Sequence, residues 1–403
     1  MSEEKRYQTH IEHGLSLLLL AGCFLIIVIF FFSQLFESSR KHFWGDETYA
    51  LNYCVRNHSY INILLNGAQP QGSPAPLDYL ACKALDQIKE KVSYFGLEPE
   101  VYFRLFANLI TALSVLVVMV IFRREIIVSK EDAPVKTAQL LLLLFVPIAF
   151  LFNRQVYYYA AEMRPYALWN SIFFIVLAVT LSDKKNSWLL FTMLVLLAFS
   201  ATAAVFQISS LALAYFIINL LQQQDFKKIF INAVKLFALP FLIVLYYCFH
   251  VGKMGFVSSL DGSWSDFFTL WKHQSIIPII MVVAIAMCFA KKENIKYAIA
   301  PLSFLILFML GPLIFWVTWF KKFFFCDRQF IYYALTKPIF VLTAIKCMPA
   351  YARNIKSKNI AIMILIIFCI IGAALTLRPK IIMKFKRAIS NVVSINLQQY
   401  TNN

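Results

Sequence analysis

The sequence predicts an all-α, polytopic membrane protein, and three observations carry that prediction. Hydrophobic residues make up 60% of the 403 and charged residues only 15%, with a mean hydropathy of +0.69, far from the balance of a soluble globular chain. The apolar residues fall in runs of roughly 17–25, the length a helix needs to cross a hydrocarbon core of about 30 Å, and about eleven such windows can be counted. The basic residues gather in the short connections. Because backbone groups in lipid must be satisfied within their own segment, the spans are helices.

Taken in order, the windows lie at 15–35, 101–122, 137–152, 164–181, 188–203, 206–221, 229–250, 276–290, 297–319, 330–347 and 359–377. The first lacks a small-residue cleavage site and is expected to stay as a span. From Trp188 to Leu221 the apolar run is too long for one crossing, so it is split near Thr202 to Gln207 as a helical hairpin. Residues 1–403 read as a single membrane domain, with a long first outer loop at 37–100 and a basic tail at 378–403. Within the loop, Thr48 to Leu65 and Pro76 to Val92 carry apolar residues at helical spacing, which fits two amphipathic helices on the membrane surface. Between them, NGAQPQGSPAP is a Gly- and Pro-punctuated turn.

Orientation follows from Lys and Arg retention on the cytoplasmic side. With the N-terminus inside, inner connections hold Arg123, Arg124, Lys184, Lys185, Lys227 and Lys228 among others, which places the first long loop outside. Lys321, Lys322 and Arg328 run against the rule. The net charge of +17 is spread over these connections and not gathered on a soluble domain, so nucleic acid is not the expected partner. Eight cysteines are scattered singly with no CxxC pair, and the six histidines show no metal-ligand spacing. Cys54 and Cys82 share the outer loop, where a disulfide and two separate thiols are both open. No glycine-rich nucleotide loop is present to support ATP-driven transport.

Four clusters carry possible chemistry. FWGDETYALNY places Asp46 and Glu47 side by side about ten residues past the first span. Adjacent residues on a helix point about 100° apart, so the two carboxylates have separate tasks; the plainer alternative is an acidic pair at the positive end of a surface helix. YYYAAEMRPYAL carries Glu162 and Arg164 just before Pro165, where an Arg fork suits a phosphate or an interfacial salt bridge. Arg104, in VYFRLFANL, sits at the outer boundary of the second span, to hold an anion or to snorkel. Arg328, in FFFCDRQFIYYALTKP, is a further boundary cation beside aromatics. Charges at the membrane boundary are costly enough to count as functional candidates.

In order and spacing, these clusters resemble the GT-C superfamily of membrane glycosyltransferases that use polyprenyl-phosphate sugars, including the protein O-mannosyltransferases and the bacterial lipid A and lipopolysaccharide sugar transferases. The carrying residues are the Asp46-Glu47 pair with Tyr49, PAPLDYLACKAL like the family's PPLYYLL, and the Arg of VYFRLFANL. AAEMRPYAL like QEARPYAL and DRQFIYYALTKP like the RYLI…P segment complete them, over about 300 residues. Asp78 stands where the family has an aromatic residue, and its His-Tyr pair is missing near Ala204 to Phe206.

The resemblance implies an inverting glycosyltransferase that moves a sugar from a polyprenyl-phosphate donor to a glycan, lipid or protein acceptor at the extracytoplasmic face. It implies Asp46 as general base, Glu47 as shaper of the acceptor site, and the carrier phosphate near Arg104 and Arg164. Glu162 is the third candidate catalytic carboxylate, and Tyr166, Arg328 and Lys83 join the two arginines as candidates for binding carrier phosphate or sugar. A divalent metal, where one is used, would fall to Asp46 and Glu162. The alternatives from other classes are a transporter or flippase of lipid-linked saccharides and a catalytically inactive scaffold.

Overall fold

The computed structural model describes residues 3–67, 75–183, 186–251, 264–274, 276–320 and 327–352. The eleventh predicted window and the basic tail at 378–403 lie outside the described residues, as does most of the turn between the two loop helices. Among the described residues every regular element is helical.

The first long helix, α1 (Glu3–Ser39), runs straight into the outer loop, which folds as a compact cap. It contains α2 (Gly45–Tyr49), a π-helical segment at Ala50–Arg56, α3 (Tyr60–Asn66) and α4 (Leu77–Val92). The amphipathic stretch from Thr48 to Leu65 is therefore broken, and the break has a local cause. Ser59 accepts a hydrogen bond from the Asn62 amide at 3.2 Å, capping a new helix where the sequence pattern continues unchanged. The other predicted loop helix, Pro76 to Val92, matches α4 closely.

Among the described residues, six helical segments are long and apolar enough to cross a membrane: Ser16–Ser39, Pro99–Val128, Ala133–Leu151, Ala204–Leu221, Phe226–Phe249 and Phe330–Ala352. They include α5 (Pro99–Val128), α6 (Ala133–Leu143) with α7 (Phe145–Leu151), and, after α8 (Arg154–Ala160), α9 (Pro165–Leu181) and α10 (Ser187–Ser200), α11 (Ala204–Leu221) and α12 (Phe226–Tyr246). The predicted windows at 164–181, 188–203 and 276–290 correspond to shorter apolar helices. The chain breaks between Ser200 and Ala204, where the hairpin was expected. Beyond α13 (Trp264–His273) and α14 (Ile276–Phe289), the window at 297–319 is two helices, α15 (Ile299–Met309) and α16 (Gly311–Phe320), and α17 (Thr336–Ala352) closes the described chain.

Proline starts two of the elements that matter most. Pro99 and Pro165 stand in the first turns of α5 and α9, where a missing N–H costs nothing and the fixed φ favours a helix. Apart from Tyr166, every residue of α9 is buried, and α9 packs along α5 and α10 with Phe150 stacked on Phe174 at 4.5 Å. In contrast, α1, α5, α12 and α14 expose large apolar residues such as Phe24, Leu113, Leu242 and Val282. Faces of that kind are a liability in water and the ordinary condition in lipid. The protein is a multi-pass helical membrane protein.

Two clusters of paired charges lie towards opposite ends of α5. Arg104 and Glu125 lie 21 residues apart on α5, so about 32 Å of helix separates them. That is close to the thickness of a hydrocarbon core, about 30 Å.

Candidate functional site

The site builds from the end of α1. The chain leaves the helix at Ser39 and re-enters at α2, whose third residue, Glu47, turns back so that its Oε2 accepts from the Trp44 amide at 3.3 Å. This is half of a capping box and follows from Glu at that position. Glu47 is fully buried. Its Oε1 accepts from the Met163 amide at 2.6 Å and from Arg104 Nε at 3.1 Å, and its Oε2 accepts from Arg104 Nη2 at 2.6 Å. Arg104 spends its remaining donors on carbonyls: Nη1 bonds Ser38 at 3.0 Å and Lys41 at 2.5 Å, and Nη2 bonds His42 at 3.3 Å. A guanidinium offers five N–H donors in a fixed fork, and here they lock the exit of α1, the carboxylate of α2 and the start of α5 into one unit.

Asp46, the neighbour of Glu47, faces the other way. Its carboxylate pairs with Arg164, 118 residues later in the chain, and its side chain is 55% exposed whereas that of Arg164 is 12% exposed. The Arg164 guanidinium lies 5.2 Å from the centre of the Trp44 ring, within reach of a cation–π attraction. Arg164 owes its place to Pro165: it is the extended residue that caps α9, as a residue before proline tends to be. Thus two adjacent carboxylates serve two arginines, one pair sealed and one open to the surroundings.

The other candidates divide. Glu162 is buried in the turn that carries Arg164, whose amide donates to the Glu162 carbonyl at 3.0 Å. Tyr166 packs against Tyr159, with ring centres 5.2 Å apart. Lys83 projects from α4 and bonds the Arg56 carbonyl at 3.1 Å. The backbone of Arg328 lies in a 3-10 segment, Asp327–Leu335, and its side chain is outside the described residues. Cys54 and Cys82 are both buried, and no disulfide joins them in the structure. Burial first, and then the charges of Asp78, Glu47 and Asp86, hold the Cys82 thiol well above its ordinary range. No group of three or more His, Cys, Asp or Glu side chains suited to a metal ion occurs among the described residues.

Two features went unassigned at the sequence level. One is Asp78, in the first turn of α4, which is buried near enough to Arg164 to feel its charge; its signals were an acid inside the apolar stretch PAPLDYLAC and a departure from the motif that stretch resembles. The second is at the opposite end of the bundle. Lys346, buried on α17, pairs with Glu125 and with Asp183 at 2.7 Å, and Asp183 also accepts from Lys296 at 2.7 Å. Against the cost of burial, these lysines hold the Asp183 carboxyl below the usual carboxylate range. A cavity of about 240 Å³ opens there, lined by Glu125, Asp183, Lys346 and Gln139 among others. The signal was a lysine inside a predicted span.

Compared with known proteins, the chain matches no family model and no curated protein sequence.

Proposed function

We propose that this protein is a GT-C-type membrane glycosyltransferase that moves a sugar from a polyprenyl-phosphate carrier to an acceptor hydroxyl. One observation carries the reading: an exposed carboxylate, Asp46, held on a mostly buried guanidinium, Arg164, at one end of a membrane bundle. The chemistry needs an acceptor for the hydroxyl proton and a cation where charge develops on the departing phosphate, and these two residues supply one each. The resemblance in motif order and the bundle's apolar outer faces support it. About eleven spans, an inner-membrane location and a site on the periplasmic side complete the proposal.

In this reading the acceptor oxygen attacks the anomeric carbon as the bond from that carbon to the phosphate oxygen breaks. The leaving electron pair stays on the carrier phosphate, whose charge Arg164 meets, and the hydroxyl proton passes to Asp46. A single displacement inverts the anomeric centre. Asp46 and Arg164 hold each other until the donor phosphate arrives and takes the guanidinium. Glu47 and Arg104 act as positioning residues, because their donors and acceptors are occupied by each other and by the backbone. Glu162 is the reserve candidate for the base.

The test is sugar transfer from radiolabelled polyprenyl-phosphate sugars in membranes holding equal amounts of wild type and Asp46→Asn. A positioned general base contributes about 10²–10⁴ in rate, so a loss of that size is expected. Full activity in Asp46→Asn removes Asp46 from the mechanism and turns to Glu162. No transfer by the wild type from any donor favours the transporter and scaffold alternatives.

A further inference from the structure

Asp78 is the one acidic residue between Ala75 and Lys83, and it is 3% exposed. Its Oδ2 is buried without a hydrogen-bond partner. Buried polar atoms in that state are few in folded proteins, and each asks for a reason.

The surroundings narrow the reason. Helix α4 packs against the π-helical segment at 50–56, against α3, α5, α9 and α10, and against the turn at Ser93–Gly96. Most ionisable groups on those elements are already engaged. Arg104 is taken by Glu47, Arg56 by Asp86, Tyr102 by the Leu85 carbonyl and Tyr60 by Gln87. His42 lies beside Glu100, Tyr53 stacks on Tyr49 and Tyr94 meets Tyr102 edge to face. Cys54 and Cys82 are buried thiols, Tyr166 packs on Tyr159, and α10 brings no ionisable side chain. Arg164 stands at the head of α9, which packs against α4, and its neighbour Met163 lies in one buried cluster with Tyr79, the neighbour of Asp78, and Cys82; its charge reaches Asp78. Burial pushes the Asp78 carboxyl up to about 7, with Arg164 pulling the other way, so near neutral pH it is divided between acid and carboxylate.

We infer that Asp78 is a protonation-controlled competitor for Arg164: as the neutral acid it leaves the guanidinium to Asp46 and the carrier phosphate, and as the carboxylate it draws Arg164 away from the phosphate. Asp78 is then a positioning residue that sets donor affinity according to pH. This deepens the glycosyltransferase reading and rests on its assignment of Arg164 to the carrier phosphate.

The experiment measures binding of undecaprenyl-phosphoryl glucose to the full-length protein in phosphatidylcholine nanodiscs. The probe is a phosphodiester, so its own phosphate does not titrate between about pH 6 and about pH 8, whereas a monoester would, with a second pKa of about 6. Competition by one group ionising near the middle of that window weakens wild-type binding about tenfold from the lower to the higher pH. Asp78→Asn is expected to bind at both pH values as the wild type binds at the lower one, and Asp78→Leu is a second neutral replacement with the same branched shape. The wild-type profile requires no variant to fold, and a flat one overturns the inference. A pH step that persists in both variants overturns it too. In those two cases, weaker binding by Arg164→Gln leaves the phosphate assignment intact. Binding by Arg164→Gln equal to wild type at both pH values rejects the phosphate assignment itself, and the role of Asp78 with it.

Discussion

At the end of the bundle where Arg104 begins α5, two adjacent carboxylates, Asp46 and Glu47, are shared out between an open and a sealed arginine. At the other end of α5 a single lysine, Lys346, gathers Glu125 and Asp183. Both ends fix charged side chains through contacts between residues far apart in the chain, and both anchor the same two helices, α5 and α9. What differs is accessibility. The first end keeps one carboxylate 55% exposed above a pair with no exposure to speak of, a combination suited to meeting a ligand on a rigid base. The second end ties α5, α17 and the connection after α9 together, and its central lysine is only 7% exposed. A rigid floor under an open pair is what a reaction site requires; a buried knot at the far side holds the helices that carry it.

The comparison breaks most visibly at the sealed pair. Arg104→Met strands the Glu47 carboxylate in a buried site and is expected to destabilise the protein by about 3–5 kcal/mol, read as lost yield and a lowered Tm in detergent. A Tm within a degree or two of wild type would remove the floor from this account.

Next comes pH. With its folded-state carboxyl raised from 3.8 to about 7, Asp78 favours the folded state fully below the lower value, and that contribution is lost as pH rises through the upper one. Asp78→Asn should therefore gain up to about 4 kcal/mol over wild type at pH near 8 and little near pH 4. Asp183 has the opposite sign: its depressed carboxyl contributes stability above its unfolded value that is lost as pH falls. The two ends should thus fail on opposite sides of neutrality, and thermal melts across pH of the wild type, Asp78→Asn and Asp183→Asn decide it.

A middling effect is expected from Lys346→Met, about 3 kcal/mol, because Glu125 keeps the bond from Ser182. The smallest is the stability change in Asp46→Asn. An ion pair with one half-exposed partner is worth about 0–1 kcal/mol, so this variant should melt like the wild type while losing the proposed transfer activity. A large drop in Tm would make the Asp46–Arg164 pair structural.

Much of this arrangement was legible in the chain. Long apolar runs fix where helices are, and the break between α10 and α11 fell where run length demanded it. Asp46, Glu47, Arg104 and Arg164 stood out because charge near a membrane boundary is costly. Their pairing did not, since which carboxylate meets which arginine depends on side-chain direction at the start of α2, set by Glu47 turning back to Trp44. Asp78 was visible only as an odd residue in an apolar stretch and a departure from the motif that stretch resembles, because burial and not spacing makes it unusual. Lys346 was passed over inside a predicted span, its partners lying 221 and 163 residues away.

The bonds around Glu47 also order events during synthesis. Its partners arrive late: Arg104 is 57 residues downstream and the Met163 amide 116. At a translation rate of about 5–20 residues per second, the cap waits several seconds for its last hydrogen bond. Until α9 begins to emerge, the first loop has no finished partner for its buried acid. A nascent chain halted before residue 163 should expose that loop to protease, and one extended past α9 should protect it.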